Sequence, residues 1–206
     1  MMRDAVFLDR DGVINSYVYN PDFGTVDSPS TPEQFELLPG VAEAVADLNQ
    51  LGLLVVVISN QPGIAKRKFT QILLDQITLK MRNEIAKGGG GLDAIYYCLH
   101  HPEAVVDAYR MRCECRKPRP GLLLQAAQDL GIRLEAAYMI GDGITDIEAG
   151  SAAGAKTIYI GQSKEYILDA FERRRVQPHS IVPNLTAAVA IIERQIKESK
   201  LLDPAL

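Results

Sequence analysis

The sequence predicts an α/β fold: a Rossmann-like, mostly parallel sheet with helices on both faces. Short apolar runs alternate along the chain with stretches of helical periodicity. These runs are continuously apolar, the pattern of strands covered on both sides. Glycine, proline or a capping residue stands at most of the boundaries, so each strand is followed by a helix that can carry the chain back to start a parallel neighbour.

Ala5 to Leu8 is the first strand. Val41, Ala44, Val45, Leu48 and Leu51 fall on one helical face behind Pro39-Gly40, which predicts a helix over 41–51 stopped by Gly52. Leu53 to Ile58 is a β-branched strand. Thr70 can cap a helix with Leu73, Ile77 and Met81 inward, ended by the glycine run 88–91. Ala94 to Tyr97 is the third strand. Pro120 suits the first turn of a helix carrying Leu123, Ala127 and Leu130, stopped by Gly131. Ala137 to Ile140 is the fourth strand, 145–153 a helix, and Thr157 to Ile160 the fifth strand. Asn184 can cap a last helix with Leu185, Val189, Ile192 and Ile196 inward. Segments 16–38 and 99–117 are irregular, and loops of that length in a compact domain usually serve function.

A chain of 206 residues suits a single domain, here 1–206, with no room between the motifs for a large cap domain. Its 47% hydrophobic and 23% charged residues are ordinary for a globular protein. A net charge of -4 and a pI near 5.4 argue against nucleic acid as a partner, though not against a local basic pocket. The longest apolar stretch, Leu51 to Ile58, is too short to cross a bilayer, and the run Ala5 to Leu8 is too short for a signal peptide. The expectation is a cytoplasmic protein with no membrane partner.

Phe7-Leu8-Asp9-Arg10-Asp11-Gly12 puts two acids at the carboxyl end of the first strand, where open α/β sheets bind ligands. If the strand continued, Asp9 and Asp11 would point the same way, and a cation or shared proton would have to relieve them. Taken alone, Asp-Gly reads equally well as a turn. Three further junctions carry polar groups suited to phosphoryl transfer: Ser59 after the second strand, Lys117 before the 119–131 region, and Asp142 with Asp146 in Gly-Asp-Gly-Ile-Thr-Asp.

Together these residues resemble the haloacid dehalogenase superfamily of phosphatases, over essentially the whole chain. The resemblance implies that Asp9 is the nucleophile and Asp11 the general acid and base. It implies a magnesium ion held by Asp9, Asp142 and the Asp11 carbonyl. Ser59 and the Asn60 amide would hold the phosphoryl oxygens, and Lys117 would add positive charge. Asp146 is open between orienting Lys117, orienting a metal-bound water, and simply favouring the start of its helix.

Cys98 and His100, with Cys113 and Cys115, form a C-x-H…C-x-C set suited to a closed, structural zinc site. That site would make 98–118 a zinc loop that delivers Lys117, leaving 16–38 as the substrate loop. Cys98-Leu99-His100-His101-Pro102 with Cys113-Glu114-Cys115-Arg116-Lys117-Pro118 resembles the D-glycero-D-manno-heptose 1,7-bisphosphate 7-phosphatase family, itself similar to the histidinol-phosphate phosphatases. The implied substrate is a small phosphorylated metabolite, a sugar bisphosphate foremost. Lys66-Arg67-Lys68 departs from the more usual basic-glycine turn, and 16–38 is longer than in the shortest family members. Arg116 and the turn of Lys66, Arg67 and Lys68 are candidate substrate contacts, the turn reading equally as a solvated surface. A different class, an interaction or nucleic-acid module on an inactive phosphatase fold, is opposed by the intact Asp9, Asp11, Ser59, Lys117 and Asp142 set.

Overall fold

The computed structural model describes residues 2–21 and 24–202; positions 22 and 23 of loop 16–38, and positions 1 and 203–206, lie outside them. Strands β1 (Ala5–Leu8), β4 (Leu54–Asn60), β5 (Ala94–Cys98), β6 (Tyr138–Gly141), β7 (Lys156–Ile160) and β8 (Ser180–Val182) form one sheet in the order β5-β4-β1-β6-β7-β8. Every pairing in it is parallel. A separate antiparallel hairpin, β2 (Val18–Asn20) with β3 (Thr25–Asp27), rises from the loop after β1.

Helices α1 (Val41–Gln50), α2 (Gln71–Lys87) and α6 (Leu185–Leu202) lie on one face of the sheet. Their Val45, Leu48, Ile77, Met81, Ile85 and Ile192 pack on Val6, Leu8, Val55, Val57 and Ile140. Helices α3 (Gly121–Leu130) and α4 (Ile144–Ala153) cover the other, where Leu123, Ala126 and Ala149 meet Phe7, Val56, Ile58 and Met139. Neighbouring strand residues go to opposite faces, so two cores grow from one set of continuously apolar strands. Helix α5 (Glu165–Arg174) buries only Phe171, which stacks edge-on against Tyr159 at 5.2 Å.

Most boundaries fall at the capping residues. The Thr70 hydroxyl accepts the Leu73 amide at 3.3 Å, and the Asn184 side chain accepts that of Ala187 at 2.9 Å. Gly131 ends α3 in the left-handed region with φ 67°. One inward assignment shifts: Leu74, not Leu73, joins Ile77, Met81 and Ile85 on the buried side of α2. The hairpin, α5 and β8 are additions to the sequence reading. The hairpin lies in the long segment between β1 and α1, and a second long loop runs between β5 and α3.

From β1 the chain builds outward through β4 and β5, then returns to lay β6, β7 and β8 on the other side. The order therefore reverses between β1 and β6, and a crevice opens there at the carboxyl ends of the strands. Asp9 follows β1 and Asp142 follows β6, on the two sides of that crevice.

Candidate active site

Asp9, Asp142 and Asp146 bring carboxylate oxygens within 4.8 Å of one another. The ammonium of Lys117 enters from below, 2.9 Å from Asp9 Oδ1 and 2.5 Å from Asp146 Oδ1, and also donates to the Ile58 carbonyl at 2.9 Å. Burial alone would push Lys117 down, but Asp146 and Asp9 outweigh it and hold the ammonium charged, above its ordinary range. Asp146 is buried and also accepts the Gly143 amide at 2.9 Å, which fixes it at the start of α4. Its contacts bear on two of the three openings for Asp146: the pair with Lys117 and the start of α4.

Three carboxylates against one ammonium leave the cluster short of positive charge. Burial, then Asp9 and Asp146, push the Asp142 carboxyl up to about 7. This donor set fits a hard divalent cation: the oxygens converge, and the charge it would bring is the charge that is missing.

Asp11 departs from the sequence expectation. The strand stops at Leu8, the chain turns through Gly12 at φ 81°, and the Asp11 carboxylate is not one of the converging three. It sits buried in a cage. Arg10 reaches it with Nε and a terminal nitrogen at 3.2 and 2.9 Å, Asn15 and Ser28 each donate at 2.9 Å, and Gln61 donates at 2.7 Å. Burial favours the protonated acid, but Arg10 and these amides prevail and lower its pKa. Arg10 itself is wholly buried and lies over the Tyr97 ring, 5.8 Å from its centre. Arg10, Ser28 and Gln61 were invisible as site residues in the sequence, where an arginine between two acids looks solvated.

Ser59 ends its run of β4 buried, accepting from Gln61 at 3.1 Å. Asn60 uses its side chain on the lysine segment: its amide nitrogen donates to the Lys117 carbonyl and its oxygen accepts the Lys117 amide, both at 3.1 Å.

Cys98, His100, Cys113 and Cys115 converge as well, with ligand atoms within 4.8 Å. Sulfur separations are 3.2, 3.3 and 3.6 Å, and His100 Nδ1 is 3.3 Å from Cys115 Sγ. A tetrahedron with zinc–sulfur bonds near 2.3 Å has edges of about 3.8 Å, so the four atoms fit such an ion with small adjustments. Burial pushes the Cys98 and Cys115 thiols up, an electrostatic debt a cation would relieve. Arg116 donates to the His100 carbonyl at 3.2 Å. Lys66, Arg67 and Lys68 are exposed, and Lys68 pairs with Asp27 across a cleft of about 460 Å³ under the hairpin. Lys66 and Arg67 form no ion pair among the described residues.

Comparison with known proteins decides the family. Chain residues 114–188, which carry Lys117, Asp142 and Asp146, match a family model described as "HAD-hyrolase-like". The D-glycero-beta-D-manno-heptose-1,7-bisphosphate 7-phosphatase of Escherichia coli (strain K12) is 42% identical over 156 residues, 74% of this chain and 76% of that protein. The chain belongs to the HAD-like hydrolase family. The Vibrio cholerae protein of the same name is 41% identical over 76% of this chain and 80% of its own. The solved D,D-heptose 1.7-bisphosphate phosphatase of B. bronchiseptica, complexed with magnesium and phosphate, superposes with a TM-score of 0.73 at 29% identity, over 95% of this chain and 99% of that one. As a HAD-like hydrolase with phosphatases as relatives, the chain is a phosphoric monoester hydrolase. Among the described residues no helix is long and apolar enough to cross a membrane.

Proposed function

We propose that this phosphatase removes the 7-phosphate of D-glycero-D-manno-heptose 1,7-bisphosphate through an aspartyl-phosphate on Asp9, and that 1–206 is one catalytic domain with substrate loop 16–38 and zinc loop 98–118. The observation that carries the chemistry is the convergence of Asp9, Asp142, Asp146 and Lys117 at the switch point of the sheet. The substrate rests on relatives that are 41–42% identical over about three quarters of this chain.

Asp9 attacks phosphorus, and the bond from phosphorus to the sugar oxygen breaks. Asp11 gives its proton to that oxygen, then takes one from the water that attacks the aspartyl-phosphate; inorganic phosphate leaves and Asp9 is restored. The cage around Asp11 favours its carboxylate form, the form needed for the second step. Giving a proton in the first step requires the cage to loosen. Ser59 and the Asn60 amide hold the phosphoryl oxygens while Lys117 adds positive charge beside them.

Magnesium would be held by Asp9, Asp142 and the Asp11 carbonyl, and when bound it neutralises the phosphoryl oxygens. Zinc would be held by Cys98, His100, Cys113 and Cys115, fixing the loop that carries Lys117. Lys66, Arg67 and Lys68 face the second phosphate in this reading, and Arg116 holds the phosphate or the sugar hydroxyls beside Lys117. Lys68 is already paired with Asp27, so Lys66 and Arg67 are the stronger contributors.

The test is phosphate release, with magnesium, from the heptose bisphosphate, from histidinol phosphate and from a panel of phosphorylated metabolites. The expected kcat/KM on the heptose bisphosphate exceeds the others by at least about tenfold. Preference for histidinol phosphate would refute the substrate, and no release from any ester would refute the chemistry.

A further inference from the structure

Tyr17 lies in the loop after β1, and its hydroxyl donates a 2.9 Å hydrogen bond to Asp142 Oδ2, on a residue 125 positions away. We propose that Tyr17 is a positioning residue for the divalent cation: it holds one oxygen of Asp142 so that the other faces the ion. The inference rests on the magnesium reading above and concerns what this chain adds to it.

A carboxylate turns easily about its last torsion, which has broad rather than sharp minima. Asp142 directly follows β6, where the backbone fixes its Cα but not the plane of its carboxylate. A donor on Oδ2 supplies the missing restraint, and such outer partners of a metal ligand commonly govern affinity.

Tyr17 is itself held in place. On one side Ser16 donates to the Glu36 carbonyl at 3.0 Å, and Asn15 bridges to Leu37. On the other, Val18 opens the hairpin and pairs with Asp27. The chain also clears space for the contact. At Gly12, with φ 81°, a Cβ would lie 2.0 Å from Asp142 Oδ2 and 2.8 Å from Tyr17 Cε2. Only glycine lets the tyrosine ring and the carboxylate meet over this turn. Tyr17 is 44% exposed, so a sugar could also reach it, and the experiment must separate the two roles.

Metal-free wild type, Tyr17→Phe and Asp142→Asn are titrated with magnesium chloride by isothermal calorimetry, without substrate. Phenylalanine keeps the ring over Gly12 and removes only the hydroxyl. The expected result is a dissociation constant about 10–100-fold weaker in Tyr17→Phe, with the magnesium dependence of turnover shifted by the same factor. Loss of binding in Asp142→Asn tests the underlying site. A Tyr17→Phe constant equal to or tighter than wild type, with only KM for substrate raised, would overturn the positioning role. Wild-type binding retained in Asp142→Asn would overturn the magnesium reading on which it stands.

Discussion

Lys117 spends its ammonium donors entirely inside the protein, on Asp9, Asp146 and the Ile58 carbonyl. A fully desolvated lysine would ordinarily lose its proton; two carboxylates, Asp146 and Asp9, keep it charged. Asp9, Ser59 and Asp142 were legible as polar residues closing apolar strand runs, and Lys117 as a cation just ahead of a helix. Arg10, Ser28, Gln61 and the Tyr17 contact were not, because their partnerships cross loops and depend on how the chain turns at Gly12. The same turn explains why Asp9 and Asp11 diverge despite their spacing. For Asp9→Asn, the amide keeps the shape and loses the attacking oxygen's charge. Turnover should fall by at least about 10⁴-fold, while the melting curve stays cooperative, since one member of a crowded carboxylate trio has been neutralised. Phosphate release and thermal unfolding measure the two halves, and near-normal release would exclude the nucleophile.

At the scale of elements, strands buried on both sides and well-capped helices were readable, from β1 and β4 to α3 and α6. The hairpin was not: its strands have three residues each, and Tyr19 and Val26 are exposed, so no buried face leaves a pattern. Helix α5 buries one residue, and β8 is a short edge strand. In the loop after β5 the cysteines were readable but the second restraint on Lys117 was not. The Asn60 side chain grips the Lys117 backbone through two hydrogen bonds, and Gly121 donates to the Glu114 carbonyl at 3.0 Å. The lysine therefore has an anchor besides the Cys113 and Cys115 pair. Cys113→Ser should lose zinc by metal analysis and cost about tenfold in turnover, with Cys113→Ser/Asn60→Ala losing about a hundredfold or more. Zinc-free wild type, or a zinc-free single variant with unchanged kinetics, would show that the cysteine cluster does not support catalysis.

For the molecule as a whole, the reversal of strand order concentrates like charge in one crevice, and the cost of that arrangement sets how stability responds to pH. Without a cation, burial and the neighbouring acids raise Asp142 to about 7, and burial raises Asp146 to about 6 against the pull of Lys117. In the unfolded chain both return to 3.8. The folded state thus binds protons more tightly than the unfolded one. The stability these two groups contribute is fully present below the unfolded value and is lost as pH rises through the folded ones, on the order of a few kcal/mol by about pH 8. Asp11, whose pKa is lowered, acts in the opposite sense, but its contribution is lost only as pH falls into the acid range, outside this window. Magnesium bound at this cluster would supply the compensating charge and compete with those protons, so its stabilisation should grow with pH. Thermal unfolding in chelator and in saturating magnesium, compared at pH 5.5 and 8, isolates the effect because groups remote from the ion cancel in the difference. The gap in Tm should widen by roughly 5–10 °C at the higher pH, with chelated protein still folded and inactive at room temperature. An equal gap at both pH values, or a larger one in acid, would mean that the carboxylate cluster does not bind the cation.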